Sequence, residues 1–240
     1  MTRGRRRAVP LVIEQDNATG GVSFWERADN QSAADRNGVS TAYYIHALFG
    51  LLRQAGSRRV LMIGCGGGTL ATMLERTGAD VTLVDVSAAS FAIARRYFHL
   101  PDSVACHVAD GRDFLRRDSG RYDGIVVDAF ADRAIPAQFL KSAFFDLAKA
   151  RLAAGGGVFL MNVLVASDAD KAPERIARRM AGVWRHVRFL DAVGWPDRNA
   201  IALAGAVQRL APPTLSMPPL GDTREIAAGL AALDFRRLRG

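Results

Sequence analysis

Val60-Leu61-Met62-Ile63-Gly64-Cys65-Gly66-Gly67-Gly68-Thr69-Leu70 is the stretch on which the reading of the chain turns. Four consecutive apolar residues describe a short strand buried on both faces. The glycines that follow let the backbone turn sharply and approach a ligand closely, and helical periodicity then runs to about Thr77. The same unit repeats downstream. Strands are predicted over 81–85, 104–108, 122–128 and 157–162, with a helix over 88–98 and another over 136–152. In the latter, Pro136 suits a first turn and Gly155 to Gly157 supply the stop. Strands alternating with helices imply a parallel sheet covered on both faces.

Beyond that alternation, strands over 186–192 and 199–204 flank a Gly194-Trp195-Pro196-Asp197 turn and predict an antiparallel pair closing the sheet. A proline-bearing arm over 211–219 leads to a short helix from about Thr223. Upstream, Tyr43, Tyr44, Ala47, Leu48, Leu51 and Leu52 recur at helical spacing in a helix ending near Gly56. Residues 28–39 are polar and read as loop, and residues 10–27 read as a β-hairpin around Asp16-Asn17-Ala18-Thr19-Gly20-Gly21. The division expected is a flexible basic tail over 1–9, a hairpin and helix over 10–57, a catalytic α/β domain over 58–208, and a C-terminal arm and helix over 209–240.

Composition narrows the class. Of 240 residues, 49% are hydrophobic and 23% charged, which suits a globular chain and excludes disorder. No apolar run is long enough for a membrane helix, and no apolar segment follows the basic start, so no secretory signal is expected. Cys65 and Cys106 make no disulfide framework, which fits a reducing cytoplasm. The net charge of +8 is almost entirely arginine, scattered without interleaved aromatics, so a nucleic-acid partner is not expected. His46, His99, His107 and His186 show no metal-ligand spacing, and no metal is expected.

Candidate binding residues collect at strand ends. Gly64, Cys65, Gly66 and Gly68 form the first turn. Asp85 ends the second strand, where a carboxylate can take ribose hydroxyls. Asp110 and Gly111 follow the third, where an acceptor can meet the exocyclic amine of adenine, and Asp128 ends the fourth beside the cleft. The order Gly64-x-Gly66-x-Gly68 departs from the G-x-G-x-x-G of NAD enzymes. A small residue in a tight loop is the ordinary reading of Cys65, and core packing that of Trp25 and Trp195.

On these residues the chain resembles the spermidine synthase family, within the class I S-adenosylmethionine-dependent methyltransferase superfamily. The resemblance covers about residues 43–204. Its most specific piece is Tyr122-Asp123-Gly124-Ile125-Val126-Val127-Asp128-Ala129-Phe130-Ala131-Asp132-Arg133-Ala134-Ile135-Pro136. In the family the matching segment is a strand, a catalytic aspartate and a gate loop with a second aspartate. The glycine turn looks like the family's nucleotide loop, Asp110-Gly111-Arg112-Asp113 like its adenine-contacting segment, and the helix of Tyr44 and Leu48 like its tyrosine helix. The resemblance implies a Rossmann-like sheet and aminopropyl transfer from decarboxylated S-adenosylmethionine to a polyamine, with no tightly bound cofactor. It also implies Asp128 as the group that orients and deprotonates the amine, Asp132 as a second hold on a cationic substrate, and Tyr43 or Tyr44 lining the channel. A homodimer is implied by the family and by the hairpin and the Tyr43–Leu52 helix. Two positions depart from the pattern: the glycine loop carries no acid, and His46 stands where the family has an acidic residue. Losing two carboxylates weakens attraction for a polycation. Methyl transfer from intact S-adenosylmethionine and a non-catalytic nucleoside-binding relative are therefore the alternatives.

Overall fold

The computed structural model describes residues 11–26, 29–221 and 223–236. The expected tail over 1–9 lies outside the described residues, as do the last four positions. The strands are β1 (Leu11–Gln15), β2 (Val22–Glu26), β3 (Asp29–Ala34), β4 (Arg59–Ile63), β5 (Asp80–Asp85), β6 (Ala105–Val108), β7 (Gly124–Val127), β8 (Val158–Val165), β9 (Val187–Asp191), β10 (Arg198–Gly205) and β11 (Asp234–Phe235). The helices are α1 (Tyr43–Gln54), α2 (Thr69–Glu75), α3 (Ala88–Tyr97), α4 (Gly111–Arg117), α5 (Ser142–Arg151), α6 (Ala172–Ala181) and α7 (Arg224–Ala231).

Eight strands form the main sheet in the order β11-β9-β10-β8-β7-β4-β5-β6. Strands β4 to β8 run parallel, whereas β10 is antiparallel to both β8 and β9. The two-residue period decides which core each side chain joins. Val60 and Met62 of β4 pack on the α1, α2 and α3 side, while Leu61 and Ile63 pack on the α4, α5 and α6 side. A strand buried on both faces must read as a continuous apolar run, which is why β4 and β7 stand out in the sequence. From β4 the chain moves outward to β5 and β6, then crosses back to β7 on the other flank of β4. That reversal opens a crevice at the carboxyl ends of β4 and β7, where open α/β sheets bind ligands.

Two expectations are corrected, and one strand is new. Residues 28–39, read as loop, contain β3, so the hairpin is a three-stranded antiparallel sheet, β1-β2-β3. The strand text Asp-Asn-Gln-Ser lacks apolar alternation, and its position is instead set by pairing with β2. The helix over 136–152 is two pieces: a 3-10 turn, Ala137–Leu140, then α5, separated by Lys141 in extended conformation. In an unbroken helix Phe139 and Phe144 would point about 140° apart. The break lets both enter one core, with ring centroids 4.9 Å apart. Finally, β11 adds an antiparallel edge to β9 that the sequence did not announce.

The C-terminal segment wraps back over α1. Gln54 exchanges two hydrogen bonds with the backbone of Ala211, donating to its carbonyl at 3.1 Å and accepting from its N–H at 2.9 Å. Pro213 lies against Gly50, where any Cβ would sit 2.5 Å from the proline Cβ. Helix α7 approaches through Gly229, where a Cβ would meet the Tyr43 ring at 2.6 Å. Residues Ile45 to Leu52 of α1 are thus buried within the chain itself. No helix among the described residues is long and apolar enough to cross a membrane.

Candidate functional site

Four strand ends and the start of α1 build the crevice. Gly64, Gly66 and Gly68 all have positive φ, at 101°, 50° and 68°. Gly64 is the most constrained: a Cβ there would stand 2.0 Å from the carbonyl oxygen of Asp128. Only glycine lets the β4 and β7 ends approach this closely. The outer side of the loop is held by the N-terminal sheet. The Gly67 N–H donates to Ser32 Oγ of β3 at 2.9 Å, and a Cβ on Gly66 would lie 3.1 Å from the Gln31 carbonyl. The small sheet therefore roofs the glycine loop, a connection absent from the sequence reading.

Cys65 is buried in this loop, and burial first, then the charge of Asp85, pushes its thiol pKa well up. It is a packed thiol, not a thiolate. Asp85 accepts from the Cys65 N–H at 2.8 Å through one oxygen and from the Ser87 N–H at 2.7 Å through the other. A carboxylate offers about four acceptor positions, so capacity for a diol remains. Asp110 caps α4, accepting from the N–H groups of Arg112 and Asp113, and its other oxygen accepts from Gln138 at 3.1 Å. Gly111 has a packing reason, since a Cβ would meet Ile63 Cγ2 at 2.4 Å. Between the two aspartates, Val86 and Val108 are 73% and 60% exposed. Both are exposed apolar residues beside Asp85, Val86 following it in the chain and Val108 paired with it across β5 and β6. Sequence reasoning missed both valines, because an apolar residue at a strand end reads as core.

Asp128 is half-buried, its N–H bonded to the Ile63 carbonyl and Oδ1 accepting from Asn162 Nδ2 at 2.8 Å. Burial pushes its pKa up to about 6, against the lowering effect of the Asn162 bond. Tyr44 faces it from α1: burial, then the Asp128 charge, holds that phenol well above its ordinary pKa and therefore protonated. Tyr43 turns the other way, packing edge-on against Trp195 at 6.1 Å and bonding the Asn199 backbone. Asp132 is exposed at the tip of a tight turn, closed by reciprocal backbone bonds between Ala131 and Ala134. Both central residues, Asp132 and Arg133, take positive φ, at 48° and 60°. Consecutive left-handed residues without glycine store strain of the kind found in functional loops. The structure thus gathers Asp128 and Tyr44 in one crevice with the glycine loop, and leaves Asp132 on its rim.

His46 is buried, and its Nε2–H donates to the Ser40 carbonyl at 2.7 Å while Nδ1 has no partner. Burial lowers its pKa, so it stays neutral and adds no charge. Among the described residues no group of three or more His, Cys, Asp or Glu is arranged to hold a metal ion.

A family model described as a methyltransferase domain matches residues 60–156. A probable polyamine aminopropyl transferase from Bifidobacterium longum is 31% identical over 158 residues, covering 65% of this chain and 35% of the relative. A polyamine aminopropyltransferase from Chromobacterium violaceum is 33% identical over 147 residues, covering 59% and 55%. The chain thus spans between about a third and just over half of these relatives' own length. In three dimensions a probable spermidine synthase from Corynebacterium glutamicum superimposes with a TM-score of 0.73 at 22% identity, over 84% of this chain and 78% of the other. By sequence this chain is similar to polyamine aminopropyltransferases over about two thirds of its length, and its fold is the Rossmann-like methyltransferase-type fold.

Proposed function

We propose that this protein transfers the aminopropyl group of decarboxylated S-adenosylmethionine to a small amine. The observation that carries the reading is Asp128, a half-buried carboxylate with its pKa pushed up to about 6, held beside protonated Tyr44 above the glycine loop. Names of the sequence relatives support the reaction class. In this reading Gly64, Cys65, Gly66 and Gly68 carry the nucleoside, Asp85 takes the ribose hydroxyls, and Asp110 meets the adenine amine, with the base lying on Val86 and Val108.

The chemistry follows from charge. An alkyl ammonium has a pKa near ~10 and no lone pair to attack with. Ionised Asp128 binds that cation and accepts its proton in a cleft where water is scarce, which frees the nitrogen lone pair. The nitrogen attacks the methylene next to the sulfonium, the C–S bond breaks, and its electrons leave with sulfur as neutral methylthioadenosine. Tyr44 keeps its proton beside the carboxylate, and Asp132 adds an acceptor at the rim. We place the protein in the cytoplasm. A homodimer would use the outer edge of β1, where Leu11 and Val12 are each 44% exposed.

Methyl transfer from intact S-adenosylmethionine is the second reading, favoured by the match to a methyltransferase domain and by the acid-free glycine loop. One assay separates the two. Purified protein is given each donor with putrescine and related amines, and nucleoside products are resolved chromatographically. Methylthioadenosine from the decarboxylated donor is the expected product; S-adenosylhomocysteine from the intact one would transfer the assignment to methylation. Neither product with any amine would sink both.

A further inference from the structure

Strand β8 reads Val-Phe-Leu-Met-Asn-Val-Leu-Val, and the asparagine in this apolar run, Asn162, is 1% exposed. An amide so deeply buried must have its donor and acceptor satisfied, or it costs the fold. Asn162 Nδ2 donates to Asp128 Oδ1 at 2.8 Å, and Asn162 Oδ1 accepts from Asn199 Nδ2 of β10 at 3.0 Å. In the antiparallel register Asn162 lies opposite Ile201, so Asn199 is its diagonal neighbour on the same face. The far end is held by α1: Tyr43 Oη accepts from the Asn199 N–H at 3.1 Å and donates to the Asn199 carbonyl at 3.2 Å.

This chain has a direction. Asn199 presents N–H to Asn162, so the Asn162 oxygen must face β10 and its NH2 must face the carboxylate. A flipped Asn162 would set oxygen against an anionic oxygen and NH2 against NH2. We propose that Asn162 and Asn199 are positioning residues: they commit Oδ1 of Asp128 to the sheet and leave Oδ2 as the oxygen that meets the amine. The proposal rests on the aminopropyl-transfer reading for the identity of that amine, but its geometry does not.

The remaining groups around Asp128 do not replace this bond. Tyr44 on α1 is protonated and faces the carboxylate. Asp132 and Arg133 lie on the following turn, where Arg133 reaches Asp197 at 4.0 Å. Arg198, the neighbour of Asn199 on β10, is engaged by Asp191 at 2.6 Å and Asp168 at 2.9 Å. A hydrogen bond to the ionised form favours ionisation, so removing Asn162 should let burial raise the Asp128 midpoint further.

The test is a carbon-detected NMR titration of the Asp128 carboxyl in the substrate-free protein, alongside the pH profile of kcat/KM. Asn162→Leu is expected to raise the midpoint by about one pH unit and to move the acidic limb of the profile with it. Asn199→Ala, at a less buried position, keeps the question answerable if the leucine variant does not fold, and should shift both in the same direction by less. For both, kcat should fall about ten- to hundredfold while the donor KM holds. A folded variant whose midpoint and profile stay where they were overturns the relay. A shifted midpoint in a protein that turns over no amine supports the relay and overturns only the reaction.

Discussion

Asp128 carries a charge that its surroundings resist, and stability should record the conflict. Its pKa is pushed up from 3.8 to about 6 by burial. A raised carboxylate binds its proton more tightly folded than unfolded, so the fold loses stability as pH climbs from about 4 to about 6 and carries the full cost above that. Asp128→Asn should therefore stabilise the protein at pH 7.5 by about 1–3 kcal/mol, the gain vanishing near pH 4, while turnover falls at least about hundredfold. Denaturant titrations at the two pH values check the sign; equal stability at both would remove the buried-charge argument. The thiols give a second contrast. Cys65 is buried and Cys106 half-buried, so a thiol reagent should label Cys106 first and reach Cys65 only on unfolding. At this scale the sequence showed the aspartates, because Asp85, Asp110 and Asp128 stand at successive strand ends. It hid Asn162 and Asn199, whose meaning depends on a diagonal pairing between strands far apart in the chain.

The glycine loop and its roof are the element on which the site depends. Gly64→Ala must displace the Asp128 carbonyl or the β4 end, because the new Cβ would be 2.0 Å from that oxygen at a φ of 101°. Gly78, with φ of 80° and open space around it, is the matched control. The control should lose about 1–2 kcal/mol, the ordinary left-handed penalty, and Gly64→Ala should lose several kcal/mol or fail to fold. Similar losses in thermal or denaturant melts would mean that Gly64 serves the turn alone. Ser32→Ala tests the roof: it leaves the Gly67 N–H without its partner and should cost about 1 kcal/mol, with nucleoside affinity down severalfold. Strands β4 and β7 were legible because burial on both faces forces continuous apolar text. Strand β3 was not, since a polar edge strand whose task is to cover a loop carries no such pattern.

Across the whole molecule, the last described residues lock the antiparallel corner that carries Trp195. Arg198, 2% exposed, forks onto Asp191, reaches Asp168 and donates to the Trp195 carbonyl. Arg236, arriving beyond β11, bonds Asp191 at 2.7 Å and pairs with Glu174 of α6. Buried charges survive because each is paired, and removing one partner strands the rest. Arg236→Ala should cost about 3 kcal/mol, against under about 1 kcal/mol for breaking the exposed Arg59–Asp80 pair. Equal costs in urea melts would show that the C-terminal closure is ornamental. The parallel sheet and its antiparallel ending were visible in the text, as strands alternating with helices and a terminal strand pair. The closure was invisible, because residues near 191, 198 and 236 meet only once the fold exists.

The most direct test of the account is calorimetric titration of the purified protein with decarboxylated S-adenosylmethionine, S-adenosylmethionine, methylthioadenosine and NAD. Binding of the decarboxylated donor and of methylthioadenosine is expected, with Asp85→Ala weakening both at least about tenfold, and no binding of NAD. Binding of NAD, or silence from all the nucleoside thioethers, would contradict it.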